Sequence, residues 1–237
     1  MKSLACILFL TVFTSGAGAQ TDSTLYYEAR MGQKRVLKTN PLPILWGNVI
    51  LTSEYRLVGE APVAPRQSIM CGLSYLDKGP FFDIVWQAIG AGLDSAQQAL
   101  WNQLGKYARY NGYRIQGMYR FYLTRSHLAP RGFYAGPHVS FSVAKLSWED
   151  AQYKSFWTRY KYFNVNLVSG VQGIIANAVA VDFFIGVGYK YNTEETHDFN
   201  GTTATVNITN IFKNPGARYT ASDYIKYTLG LNFGYAF

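Results

Sequence analysis

The chain has 237 residues and a formal net charge of +8, but only 15% of its residues are charged, against about 25% in an ordinary soluble domain. Aromatics are plentiful, with 19 Tyr, 15 Phe and 5 Trp. Past the first twenty or so residues, no charge-free stretch of 18 or more residues reads as a spanning helix.

The N-terminus reads as a secretory signal peptide. Lys2 precedes an apolar run from Leu4 to Phe13, and the small triplet Ala17-Gly18-Ala19 comes next. That order predicts cleavage near Gln20 and export of the mature chain. Three parts are expected: a signal peptide (1–19), an N-terminal periplasmic segment (20–34) and a single domain (35–237). After cleavage Cys71 stands alone, so no internal disulfide is expected. It reads as a small apolar wall residue.

Strand-like alternation then recurs. A weak first strand is expected at about 35–45, where Pro41 and Pro43 cannot donate to a ladder. Alternating segments follow at 48–58, 67–76, 113–123, 133–144, 162–175, 179–191 and 225–237. Between them, periplasmic turns are expected near 59–65, 124–132 and 176–178, and outer loops near 46–47, 78–112, 145–160 and 192–223. In the 78–112 loop, Asp94 or Ser95 caps an expected helix through Ala96, Leu100, Leu104 and Tyr107 or Ala108. Residues 81–89 are read as an alternative extension of the neighbouring strands.

The last strand separates its faces best. Tyr227, Leu229, Leu231 and Phe233 share one face, continued by Tyr235 and Phe237, while Thr228, Gly230, Asn232 and Gly234 share the other. Seven such segments and the weak first one predict an all-β, closed antiparallel transmembrane barrel of about eight strands, apolar face outward. A lipocalin-like secreted binding barrel is the soluble alternative, but it requires the opposite polarity.

Eight charges fall on the inward side: Lys38, Glu54, Arg56, Arg114, Arg120, Asp182, Lys190 and Lys226. Eight strands leave an interior just filled by side chains. A salt-bridged plug is the expected reading, with an anion-preferring passage as the alternative. His138 and Ser140 lie two apart on one face, so they are the weak candidates for a catalytic pair, with Glu149 or Glu54 as the orienting acid. The three His residues share no metal-ligand spacing. Neither a metal, a cofactor nor a nucleic-acid partner is expected.

These features resemble the small outer-membrane barrels of the OmpA/OmpX type, and more closely barrel families of Bacteroidota. The likeness rests on Lys38-Thr39-Asn40 followed by Pro41-Leu42, and on the terminal strand Tyr227–Phe237 with its final aromatic. The resemblance implies a Gram-negative outer-membrane location. It also implies recognition of Tyr235 and Phe237 by barrel assembly machinery, contact with outer-membrane lipid and lipopolysaccharide, and a porin-like but non-enzymatic structural or surface-interaction role. A lipid A-modifying outer-membrane hydrolase is the catalytic alternative.

Overall fold

The computed structural model describes residues 34–45, 52–92, 94, 98, 102, 105–124, 128–148, 157–197, 202–208 and 220–237. The signal peptide, nearly all of segment 20–34, His127 and Glu149 lie outside the described residues. The strands are β1 (Val36–Thr39), β2 (Thr52–Ala64), β3 (Gln67–Lys78), β4 (Ala108–Tyr122), β5 (Gly132–Trp148), β6 (Trp157–Ile175), β7 (Val179–His197), β8 (Thr203–Asn207) and β9 (Ile225–Ala236). Each pairs antiparallel with its sequence neighbour from β1 to β7. β9 closes the ring by pairing with both β7 and β1. The short β8 continues the β9 position upward along β7, so the wall is an eight-stranded closed barrel. Val36 lies opposite Ala236, placing the start of β1 and the end of β9 together at one rim.

Polarity is inverted relative to a soluble barrel. Outward residues such as Tyr227 (81% exposed) and Leu229 (71%) are apolar and open, whereas Lys38, Glu54, Glu60, Arg120 and Asp182 are buried. In water that exterior would be a large continuous apolar patch, which soluble monomers do not carry. Tyr55, Tyr75 and Tyr113 stand side by side by register near one end of the belt. Phe121, Phe133, Tyr235 and Phe237 are exposed near the other. Two aromatic girdles around an apolar band are the pattern of a transmembrane barrel of the outer-membrane type. No described helix is long and apolar enough to cross a membrane.

Several boundaries differ from the sequence reading. The first strand stops at Thr39, and Leu42–Leu45 forms a one-turn helix, α1. Asn40 Oδ1 accepts the Leu42 N–H at 3.1 Å, ending the extended run just before Pro41 and Pro43. β2 runs on to Ala64 with an irregularity between Pro62 and Ala64, so the 59–65 turn shrinks to two residues. Residues 81–89 are not strand. They lie in helix α2 (Pro80–Gly90), where Pro80 occupies the first turn and Asp83 adds a favourable acidic charge. Of the helix expected after Asp94, Ser95, Ala96, Leu100 and Leu104 lie outside the described residues; Gln98, whose N–H bonds to the Asp94 carbonyl, Asn102 and 105–107 are helical. β5, β6 and β7 extend beyond the belt, which shortens the expected 145–160 and 192–223 loops. The latter also holds β8 and a 3₁₀ turn at Ala221–Tyr224.

Candidate functional site: the barrel interior

The interior has three layers. The lowest, near the termini, is a balanced ionic cluster. Lys38 Nζ lies 2.5 Å from Glu60 Oε2 and 3.0 Å from Asp182 Oδ2. The Arg120 guanidinium reaches the same two carboxylates at 3.2 and 2.9 Å. Tyr122 donates to Glu60 at 2.7 Å, and Tyr134 and Asn232 donate to Asp182 at 2.6 and 3.0 Å. Gln172 Oε1 accepts from both Lys38 and Arg120, and Arg120 lies over the Tyr134 ring at 4.0 Å. Two cations therefore face two anions, and of their polar atoms Arg120 Nε is left without a hydrogen-bond partner among the described residues, so the cluster comes close to the condition for burying charge without large cost.

The topmost layer is apolar. Phe82 of α2 is buried, stacks on Trp86 at 5.4 Å and meets Tyr110 edge-on at 6.0 Å. Leu76, Leu146 and Tyr162 complete that cluster. Lys78 pins α2 through Asp83 at 2.5 Å. The helix thus seats its apolar side over the barrel mouth.

Between these lies a cavity of about 150 Å³. Arg56, Arg114, Arg120, Gln116 and His138 line it together with Met70, Met118, Val168 and Phe184. Here charge is not balanced. Glu54 accepts from Arg56 at 2.8 Å, from Arg114 at 3.4 Å and from Ser74 at 2.7 Å. Lys226 lies in electrostatic reach of Arg56, Arg114, Lys190 and Glu54. The middle layer therefore sets Arg56, Arg114, Lys190 and Lys226 against Glu54.

All eight charges read from the sequence face inward, but they form two groups instead of one. Glu60 is not among them, because it falls in the expected turn. Its parity with Glu54 and Arg56 is the available signal. His138 and Ser140 share the inner face without touching each other. Ser140 Oγ accepts from Arg114 at 3.1 Å and from Asn164 at 3.3 Å, and His138 Nδ1 pairs with Asn166 at 3.2 Å. Tyr227, Leu229 and Phe233 point outward and are exposed, while Leu231, on the same face, is half-buried. Tyr235 and Phe237 stack at 6.4 Å at the rim beside Arg35, whose backbone exchanges two hydrogen bonds with Phe237. Among the described residues no His, Cys, Asp and Glu group is arranged to hold a metal.

No protein-family model matches the chain, and no curated protein matches it. Among solved structures it is similar to a major outer membrane protein from Thermus thermophilus, with a TM-score of 0.40 and 13% identity over 86% of this chain and 98% of that one.

Proposed function

We propose that this protein is a non-catalytic integral barrel of the cell outer membrane, with a structural or surface-interaction role. The observation that supports this best is the inverted polarity: an apolar, aromatic-girdled exterior around a buried ionic interior. Its lipid partner is expected to carry negative charge. Above the apolar band, Arg109, Lys145, Arg159 and Lys161 lie near one another by register, with Glu195 bonded to the last two at 3.2 and 3.1 Å. That excess of positive charge suits the phosphates of lipopolysaccharide. Tyr235 and Phe237, at the rim, suit reading by barrel assembly machinery during insertion.

Fractionation of cells, with gel mobility compared before and after heating, tests the location. Recovery in outer membranes and a heat-dependent shift are expected. A soluble periplasmic monomer would favour the lipocalin-like reading instead. Catalysis is tested by mass spectrometry of lipid A from cells with and without the protein. Unchanged lipid A is expected, because Ser140 is held by Arg114 and Asn164. A lost acyl chain that returns with Ser140→Ala would establish the hydrolase.

A further inference from the structure

The cavity in the middle layer has two unlike ends. Arg56 and Arg114 stand at its upper end, linked by register through Ser74 across β2, β3 and β4. Met70 and Met118, register partners on β3 and β4, lie toward its lower end. They belong to one apolar cluster with Val168 and Phe184, which also line the cavity. On the side of the chain that follows β1, the wall includes the buried Asn40 and Pro43.

The lining holds three guanidinium groups, Arg56, Arg114 and Arg120, and no carboxylate. Arg120 is matched from below by Glu60 and Asp182, whereas Arg56 and Arg114 share Glu54. Lys226 makes no ion pair among the described residues and lies in electrostatic reach of both arginines. Arg114, 4% exposed, keeps its Nε donor without a hydrogen-bond partner among the described residues, and so does the Thr228 hydroxyl. Both residues line the cavity. Buried polar groups are nearly always satisfied, so unmatched donors beside surplus positive charge call for an anion. Asn232 Oδ1, an unpartnered acceptor on the same wall, calls for a water beside it.

From this geometry we infer that the cavity binds one short-chain carboxylate, its oxygens at the Arg56–Arg114 end and its carbons among Met70, Met118, Val168 and Phe184. A cavity of about 150 Å³ is the size that holds benzene, so the ligand has about six non-hydrogen atoms, as butyrate has. Guanidinium groups take both oxygens of a carboxylate through paired N–H bonds. The head belongs at the upper end, because an anion at the lower end would approach Glu60 and Asp182. A phosphate carries oxygens on every side and would turn some of them onto the apolar cluster, unpaired. A chloride ion would leave that cluster without a partner.

The inference rests on the membrane-barrel reading, which heat-modifiable mobility checks separately. Full-length mature protein is folded into lipid vesicles with radiolabelled butyrate present throughout, then dialysed to equilibrium against it. Unlabelled butyrate, uncharged butyramide, chloride and inorganic phosphate serve as competitors. Saturable binding of one butyrate per barrel is expected. Butyramide should compete at least tenfold more weakly, as loss of one charge interaction at an effective dielectric of about 20 implies. Chloride and phosphate should also compete at least tenfold more weakly, because they bury no methylenes. Lys226→Gln breaks no ion pair among the described residues and is expected to weaken butyrate about tenfold. Val168→Phe, which fills the apolar end, is expected to abolish saturable binding while the heat-dependent shift persists. If Val168→Phe does not fold, Lys226→Gln and the butyramide comparison decide. Equal competition by butyramide, chloride or phosphate, wild-type affinity in Lys226→Gln or in folded Val168→Phe, or no saturable binding above protein-free vesicles would each overturn the proposal.

Discussion

Glu60 and Glu54 show how one residue type does two jobs at different heights. Glu60 neutralises Lys38 and Arg120 with help from Asp182, and all four are at most 1% exposed. Replacing Glu60 with Gln leaves two buried cations sharing one carboxylate. Breaking a buried pair in this way costs roughly 3–5 kcal/mol, so Glu60→Gln should lower the urea midpoint of the vesicle-folded barrel sharply. If its midpoint equals wild type, the lower cluster contributes no net stability. Asn232 has a related role. It donates to Asp182 and is 3% exposed, so it is no spacious lumen position, and a large cation there meets crowding before it meets Asp182. Phe184 is the one large apolar side chain on the small face of β7. It fits because Gly230 lies opposite: a Cβ there would be 2.2 Å from the Phe184 ring.

At the scale of elements, β5 carries a proline in mid-strand. Pro137 cannot donate to the ladder, and the β4–β5 pairing is interrupted between His138 and Ala135. The strands stay in contact because Gly136 has no side chain: a Cβ would stand 1.8 Å from the Tyr119 carbonyl oxygen. Gly136→Ala must push β4 and β5 apart and should cost roughly 1–3 kcal/mol, the range for overpacking. Refolding yield and urea stability in vesicles read this out. Helix α2 is the second element with a defined load. Phe82→Ala removes the centre of the upper aromatic layer and should cost roughly 3–5 kcal/mol. Unchanged stability would mean that α2 rests on the mouth without being packed into it.

For the whole molecule, the two covered ends predict electrical silence. In planar bilayers the wild type should show little steady conductance, because the ionic layer and the aromatic layer close the axial path. Large stable channels would show that one layer opens. The exterior predicts a depth profile. Val139 sits on β5 midway between Phe133 and Lys145, so arginine there should cost roughly 2–4 kcal/mol, while Asn111→Arg, just above Tyr113, should cost about 1 kcal/mol or less. Equal costs at both sites would mean that the wall does not face a bilayer.

The wall is legible in the sequence because a strand's period of two sends neighbours to opposite faces whatever their partners. Tyr227, Leu229 and Phe233 against Gly230 and Asn232 mark both faces of β9, and the inward set from Glu54 to Lys226 follows from the same parity. Strand ends are less legible, since parity continues past the point where pairing stops. That is how Glu60 falls in an expected turn and why residues 81–89 resemble strand until Phe82 and Trp86 find Tyr110. What tertiary structure alone decided is which charges meet. Lys38 lies 144 residues from Asp182, and Arg120 lies 60 residues from Glu60. Strand order, tilt and register bring them together, and none of these is written in local alternation.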